Sequence, residues 1–154
     1  MNVNKSNVKY VTQFSEQPWL GHRFKKNILS KPYKADNYLN KDLVLKDYQI
    51  EGVKWLIAED GRIMADDMGL GKTLQSIAAA TKLIVDKKIN NVLVICPSSL
   101  VRNWCDEITK WAPDFSTLSI TNTGKEKNEI WSKLYGHSHF IVTNYEQIRD
   151  IPKI

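Results

Sequence analysis

The sequence predicts an α/β fold in which the strands of a parallel sheet are joined by crossover helices. The segment 92–96 is a continuous apolar run of strand length rather than an alternating one, which is typical of a strand covered on both faces. Segments with helical periodicity lie between the predicted strands, and such alternation forms parallel sheets. With 154 residues, 42% hydrophobic and 25% charged, the chain has the length and composition of one globular domain.

The first regular elements are expected after residue 42, because residues 1–40 are polar and irregular and receive no assigned structure. Asp47 is predicted to cap a helix over 48–59, and residues 62–65 are predicted to form a short strand. After a glycine-rich turn, a helix is predicted from residue 72 to about residue 88. Apolar residues cover most of its circumference, which indicates a buried helix.

The second half of the chain repeats the alternation of strand and helix. Pro97 ends the strand at 92–96, and Ser98 or Ser99 is predicted to cap a helix over 100–111. Further along we expect a strand at 117–120, a helix at 126–134 and a strand at 140–143. These elements divide the chain into an N-terminal basic arm, residues 1–40, and one α/β unit, residues 41–154.

Positive charge is concentrated at the N-terminal end. The net charge is +5 at neutral pH, and residues 1–46 hold nine basic and three acidic side chains, whereas the other 108 residues hold thirteen and fourteen. A basic arm of this kind can help to hold a polyanion. A solvated, lysine-rich surface explains the same charge equally well, so charge alone does not decide the function.

Composition and motif spacing exclude several other classes. Cys96 and Cys105 are too few for a disulfide framework or a zinc site, and we interpret them as reduced cysteines. His137 and His139 are only two ligands, a weak metal site, and we interpret them as ordinary loop histidines. No segment approaches the roughly 20 apolar residues that cross a bilayer, and the polar first ten residues do not resemble a signal peptide. We therefore expect a cytoplasmic protein with no membrane partner.

The strongest chemical signal is the segment Gly69-Leu70-Gly71-Lys72-Thr73, which lies between a predicted strand and an apolar helix. Glycines let the backbone curl around a phosphate, whose charge the N–H groups at a helix start neutralise. In such a P-loop, Lys72 reaches the β- and γ-phosphates and the Thr73 hydroxyl binds Mg²⁺. The general pattern has glycine at position 66, where this chain has Asp66. A plain turn with a helix cap is the structural alternative.

Four segments, taken in order, resemble the motifs of one family. IMADDMGLGKTLQSIA resembles motif I of the Snf/Swi-type DNA-dependent ATPases, which are superfamily-two helicases. An acidic residue typically replaces the first P-loop glycine in that family, so Asp66 fits it. LKDYQIEGVKWL is similar to the adenine-recognising Q motif, VLVICPSSLVRNWCDEITKW to motif Ia and FIVTNYEQIR to motif Ib. The resemblance covers residues 45–149 and implies part of a RecA-like P-loop NTPase lobe.

The resemblance implies ATP and Mg²⁺ as cofactors and assigns the nucleotide site. It places Gln49 at the adenine edge, where an amide can donate and accept, although an exposed helical glutamine is the alternative. Lys72 becomes the phosphate clamp and a catalytic residue, and Thr73 the Mg²⁺ ligand. The remaining nucleotide-binding positions are Asp67, Met68, Gly69, Leu70 and Gly71.

Double-stranded DNA is the partner that the resemblance implies. Pro97, Ser98 and Ser99 occupy the motif Ia turn that contacts the DNA backbone in relatives, through hydroxyl and amide donors. Considered without the resemblance, the serines are more often a helix cap. Thr143 and Tyr145 lie where motif Ib approaches the same strand of DNA, and packing at a strand end is their structural alternative.

We therefore expect the ATP-binding portion of a Snf-type translocase that moves on double-stranded DNA. The family's acidic box, its second lobe and the arginine finger find no match within these 154 residues, so we expect the chain alone to bind nucleotide weakly and to hydrolyse it negligibly. The remainder of the motor is then a separate chain or a continuation of this one. The alternative is a non-hydrolysing ATP- or DNA-binding fragment that acts alone or with a partner chain.

Two further expectations concern other classes and the source. A small P-loop kinase or GTPase is disfavoured, because no base-specificity motif of the GTPase kind is present and a Q-type segment precedes the P-loop. Frequent Lys, Asn and Ile with few Arg are typical of an AT-rich genome, which indicates a bacterial or phage source.

Overall fold

The computed structural model describes residues 9–12, 39–58, 60–121 and 137–149. Four strands lie in these ranges, β1 (Lys9–Thr12), β2 (Val92–Cys96), β3 (Thr117–Ile120) and β4 (Phe140–Asn144). The helices of the same ranges are α1 (Asp47–Ala58), α2 (Lys72–Val85), α3 (Val101–Trp111) and α4 (Tyr145–Arg149), and a 3-10 turn at Ser98–Leu100 precedes α3. None of the helices described is long and apolar enough to cross a membrane.

The strands form one parallel sheet in the order β1-β2-β4-β3. Cys96 at the end of β2 lies beside Asn144 at the end of β4, so the segments that follow these two strands leave the sheet at the same edge. This carboxyl edge is where open α/β sheets bind their ligands. The predicted parallel sheet with crossover helices is confirmed.

Alternate residues of the central strands enter two hydrophobic clusters. The larger cluster contains Val92 and Val94 of β2 together with the buried hydrophobic residues of α1, α2 and α3. The smaller one, on the other face of the sheet, contains Leu93, Ile120 and Ile141. Burial on both faces explains why the β2 sequence is continuously apolar.

Two predicted strands, 92–96 and 117–120, are confirmed with the same bounds, and the strand predicted at 140–143 is confirmed with Asn144 added. The strand predicted at 62–65 is wrong, because these residues are irregular and pair with no strand in the described part of the chain. Both edges of β2 are already paired, one with β1 and one with β4. The helix predicted at 126–134 lies outside the described residues.

The N-terminal arm contains a strand for which the sequence shows no periodicity. Residues 9–12 form β1 and pair in parallel with β2, with Lys9 beside Val92 and Thr12 beside Ile95. The hydrogen bonds of β1 are made with β2, about eighty residues away in the chain, so no local sequence pattern predicts this strand. At least these four residues of the arm are part of the sheet.

Both predicted helix caps are wrong. Asp47 is itself the first residue of α1, and the N–H of Lys46 donates to Gln49 Oε1 at 3.0 Å, so a glutamine reaching back provides the cap. At the second site, Pro97 precedes a 3-10 turn that begins at Ser98, and no side chain caps either that turn or α3. The serines are therefore available for other contacts.

The two cysteines are free thiols, as predicted. Burial is the main cause that raises the pKa of Cys96, and the neighbouring Cys105 raises it further. Burial and the charge of Asp106 likewise raise the pKa of Cys105. Both groups stay protonated at neutral pH, which makes them poor nucleophiles and poor metal ligands.

Candidate nucleotide-binding site

The glycine-rich turn adopts a backbone that only glycine takes without strain. Gly69 has φ +86° and Gly71 has φ +79°, both in the left-handed region. Helix α2 begins directly after them at Lys72, and no side chain caps its N-terminus. The first N–H groups of a helix have no intrahelical acceptor, so the donors at this end are open to an anion.

Lys72 is positioned over the same turn. Its Nζ donates to the carbonyl oxygens of Asp66 at 2.8 Å and Asp67 at 3.0 Å. An ammonium has three donors, so these two bonds leave one for a ligand. The positive charge therefore lies beside the open N-terminus of α2, where the helix dipole also favours negative charge.

Gln49 is buried, which excludes the alternative of an exposed helical glutamine. Its Oε1 accepts from Lys46 N, and its Nε2 donates to the carbonyl of Leu70 at 3.3 Å. The side chain thus joins the start of α1 to the P-loop. One donor and one lone pair of its amide remain, so a contact with adenine is compatible with this geometry and stays a prediction.

The loop offers oxygen donors that suit Mg²⁺. The Thr73 side chain is half-buried in the first turn of α2, and the carboxylates of Asp66 and Asp67 lie in the exposed loop. Among the described residues, no three His, Cys, Asp or Glu side chains are grouped to hold a metal. This donor set fits a cation held jointly by a hydroxyl and by phosphate oxygens of a nucleotide, the arrangement that Mg²⁺ commonly adopts.

The motif Ia turn is on the surface at the carboxyl edge of the sheet. Pro97, Ser98 and Ser99 are all exposed, directly after β2. Neither serine hydroxyl is used as a helix cap. Tyr145, which follows β4 at the same edge, is 45% exposed. These four residues form one exposed, polar strip along two neighbouring strand ends.

Thr143 does not belong to that strip, and its predicted contact with DNA is corrected. The side chain is completely buried, and its hydroxyl donates to the carbonyl of Ile120 at 2.7 Å. Packing at the strand end, the alternative for this residue, is what the structure shows. Its hydroxyl joins β4 to β3, because the two strands are paired through Ile120 and Thr143.

Neither His137 nor His139 belongs to a group of three or more metal-binding side chains within the part of the chain that the structure describes. His139 Nδ1 accepts a hydrogen bond from the backbone N–H of Ser116 at 3.2 Å, and the His139 ring packs edge-on against Phe115. His137 is exposed. The interpretation of His139 as an ordinary loop histidine agrees with these contacts.

Sequence reasoning missed one residue that contacts the loop. Gln75 is completely buried, and its Nε2 donates to Asp66 Oδ2 at 3.2 Å and to the Leu70 carbonyl at 3.1 Å. The only sequence signal was indirect: Gly52 in the middle of a predicted helix, where glycine is unfavourable. A Cβ atom at Gly52 would overlap Gln75 Oε1.

Comparisons with known proteins agree on one family. The model of the SNF2-related domain matches residues 48–153. The chain is 34% identical over 151 residues to transcription regulatory protein SNF2 of Saccharomyces cerevisiae, which covers 94% of this chain and 8% of that protein. It is 38% identical over 110 residues to nuclear protein STH1/NPS1 of the same yeast, covering 68% of this chain and 8% of the relative. The chain thus spans a small part of these relatives.

Two solved structures of Sulfolobus solfataricus are similar to the fold. One is a SWI2/SNF2 ATPase core in complex with dsDNA, with a TM-score of 0.61 and 33% identity over 74% of this chain and 24% of that chain. The other is the SWI2/SNF2 ATPase core domain, with a TM-score of 0.65 and 28% identity over 96% of this chain and 27% of that chain. The chain therefore belongs to the SNF2-related domain family and has the fold of part of a SWI2/SNF2 ATPase core.

Proposed function

We propose that this chain is the ATP-binding part of an ATPase that couples ATP hydrolysis to movement along double-stranded DNA. The observation that supports it most directly is the uncapped N-terminus of α2, with Lys72 Nζ held over a turn of two left-handed glycines. That arrangement supplies backbone donors, a positive charge and a helix dipole to a polyphosphate. The similar archaeal core in complex with dsDNA supports duplex DNA as the partner.

In the proposed complex, phosphate oxygens replace the carbonyls of Asp66 and Asp67 as acceptors for Lys72 Nζ. The exchange is favourable because an ammonium binds a charged oxygen more strongly than a carbonyl. The Thr73 hydroxyl is the ligand that this chain offers to Mg²⁺, which when bound neutralises phosphate charge. In this proposal Gln49 contacts the adenine edge while its Nε2 keeps its bond to the Leu70 carbonyl.

A second candidate function is a nucleotide- and DNA-binding module that does not hydrolyse ATP. It is favoured by the lack, in the described ranges, of any cluster of acidic residues that could hold the metal from a second side. Both candidates predict that the 154-residue chain binds ATP, that Lys72→Ala weakens this binding, and that the chain alone releases phosphate negligibly. The reading frame after residue 154 separates them: a continuation with an acidic box and a second lobe supports the ATPase, whereas ATP binding without hydrolysis by the complete gene product supports the module. DNA-stimulated release by the 154-residue chain that Lys72→Ala abolishes would contradict the expected negligible hydrolysis.

The adenine contact predicts a difference between nucleotides. We expect Gln49→Ala to weaken ATP binding by about 1–2 kcal/mol more than GTP binding, because a base contact of this kind is a net hydrogen bond of that size. Titration of each nucleotide against wild type and variant measures the difference. Glu51→Ala, an exposed change on the same helix, is the control. Equal losses of affinity for ATP and GTP would mean that Gln49 does not contact adenine and only holds the Leu70 carbonyl.

The DNA surface predicts weak, sequence-independent binding that falls as salt rises, since phosphate contacts displace counterions. If the basic arm contributes, replacing Arg23, Lys25 and Lys26 by glutamine lowers the slope of log affinity against log salt by about 0.9 for each phosphate that the arm no longer neutralises. Titrations of one duplex at several salt concentrations give the slope. These changes leave β1 intact, which deletion of residues 1–40 would not.

The matched control neutralises three lysines away from the carboxyl edge of the sheet, Lys87, Lys88 and Lys110, all exposed. The first two lie between α2 and the start of β2, and the third is in the last turn of α3. We expect their slope to equal that of the wild type. An unchanged slope in the arm variant would mean that the arm is a solvated surface and that the strip of Pro97, Ser98, Ser99 and Tyr145 provides the binding.

A further inference from the structure

Gln75 is a buried polar side chain to which the proposed nucleotide chemistry assigns no role. It lies in the first turn of α2 and is completely enclosed. Its Nε2 donates to Asp66 Oδ2 at 3.2 Å and to the Leu70 carbonyl at 3.1 Å. One amide group therefore holds the two sides of the P-loop, the residue where the turn begins and the residue between its two glycines.

A second amide reaches the same carbonyl. Gln49 Nε2 donates to Leu70 O from α1, at 3.3 Å, while Gln75 donates from α2. A carbonyl oxygen has two lone pairs, and both are used here. Leu70 stands between Gly69 and Gly71, which both have positive φ and, lacking a Cβ, restrict the backbone less than other residues do. Without the two amides, little would fix the orientation of the peptide unit between Leu70 and Gly71.

The orientation of that peptide unit decides where a backbone donor points. A trans peptide is planar, so its N–H points opposite to its C=O. The two glutamines hold the Leu70 carbonyl against α1 and α2, and the N–H of Gly71 must then point away from them. Helix α2 begins at the next residue, Lys72, and no side chain caps its N-terminus.

Gly52 of α1 leaves the space that the Gln75 side chain occupies, and a glycine at this position lowers the stability of the helix. A Cβ atom on Gly52 would overlap Gln75 Oε1 and lie 3.0 Å from its Cδ, so any other residue at this position would displace the Gln75 side chain. Glycine is unfavourable inside a helix. Gln75 Oε1 also has no hydrogen-bond partner among the described residues, and a buried unpaired oxygen is unfavourable. The contact between Gly52 and Gln75 therefore destabilises the chain in two ways, through a glycine inside a helix and through an unpaired buried oxygen. A residue that served packing alone would avoid both.

We propose that Gln75 is a positioning residue that presets the P-loop for a phosphate chain, with Gly52 providing the space for it. It holds the Leu70 carbonyl and the Asp66 carboxylate inward and thereby directs the Gly71 N–H toward the ligand. This inference rests on the proposed binding of ATP at the loop. It adds that the loop is shaped from within α1 and α2 before nucleotide arrives.

The test is the affinity of the 154-residue chain for ATP and for inorganic tripolyphosphate, which lacks the base. Gln75→Leu keeps the size of the side chain and removes both donors. We expect the affinity for both probes to fall by about tenfold, and by the same factor, because the loss concerns the phosphate part of the ligand. A loss confined to ATP would contradict the proposal, since it would place Gln75 with the base.

Thr81→Val is the matched control for a merely structural effect. Thr81 is completely buried on the same helix, and its hydroxyl donates only within α2, to Ile77 and Ala78. We expect it to lower the thermal midpoint while leaving both affinities unchanged. If Gln75→Leu and Thr81→Val affect affinity equally, Gln75 is a packing residue and the proposal is overturned.

Asp66→Ala keeps the proposal testable if Gln75→Leu does not fold, because Asp66 is exposed. We expect Asp66→Ala to weaken tripolyphosphate binding by a few-fold. Where Gln75→Leu does fold, the loss in the double variant should not exceed that of Gln75→Leu alone, since coupled residues are non-additive. Independent, multiplying losses would contradict the coupling. Lys72→Ala distinguishes failure of the proposed function from failure of this inference. If Lys72→Ala leaves ATP binding intact, the proposed function is wrong. If Lys72→Ala weakens ATP binding but the Asp66 and Gln75 variants do not, only the inference about Gln75 is wrong.

Discussion

Lys72→Ala is expected to lower the affinity of the chain for ATP by about 10- to 100-fold. A hydrogen bond to a charged group contributes about 1.5–3 kcal/mol, and Lys72 is the cation held over the open end of α2. The change also removes the bonds from Nζ to the carbonyls of Asp66 and Asp67, which hold the turn. Calorimetric titration with ATP in the presence of Mg²⁺ measures the loss.

Lys82→Ala is the control for this prediction, since it removes a lysine from the same helix. Lys82 is paired with Asp86 at 2.6 Å, in an (i, i+4) ion pair at the far end of α2. We expect its loss to leave the affinity for ATP unchanged, because a partly exposed pair of this kind contributes little. Equal affinities for Lys72→Ala and wild type would show that nucleotide binds elsewhere, if it binds at all.

The parts of the fold that the sequence predicts well are those whose signal is local. The strands 92–96 and 117–120 and the start of α2 at Lys72 agree with the structure, because continuous burial and a glycine-rich turn are visible within a few residues. The nucleotide loop was recognisable for the same reason, since its backbone demands glycine at Gly69 and Gly71.

The parts that were wrong or missed depend on distant partners. Residues 62–65 have the composition of a strand, yet no open strand edge of the described sheet accepts them. Thr143 is polar at the end of a strand, which favoured a surface contact, but its hydroxyl satisfies the Ile120 carbonyl on a neighbouring strand. Gln75 follows the P-loop as an ordinary helical residue would, and only the packing of α1 on α2 shows that it reaches back to Leu70.

The helix caps also show that residue type alone does not decide a local structure. The serines after Pro97 have the right residue type for a cap, but a 3-10 turn begins at Ser98 and uses no side chain. By contrast, Asn144 does cap α4, since its Oδ1 accepts from the N–H of Gln147 at 3.0 Å. The pattern of asparagine followed three residues later by glutamine is a recognised start signal, and it could have predicted α4.

Gly71→Ala is expected to lower the free energy of unfolding by about 2–3 kcal/mol and the affinity for ATP by more than tenfold. The φ of +79° costs a residue with a Cβ about 1–2 kcal/mol. The added Cβ would also lie 2.7 Å from Gln49 Nε2, so Gln49 must move and its bond to Leu70 is broken, at about 1 kcal/mol. Denaturant unfolding and ATP titration measure the two effects.

Two other glycines with a similar positive φ, Gly69 and Gly61, serve as controls for this prediction. Gly69 has φ +86° and Gly61 has φ +72°, and a Cβ at either would meet no atom within 4 Å. Alanine at Gly61, outside the loop, should therefore cost only the backbone strain, about 1–2 kcal/mol, with ATP binding unchanged. Alanine at Gly69 should destabilise the chain by the same amount while also weakening ATP binding, because it distorts the loop. If Gly71→Ala destabilises the chain no more than Gly61→Ala does, Gln49 does not hold the loop through Leu70, and the link between the start of α1 and the phosphate site is wrong.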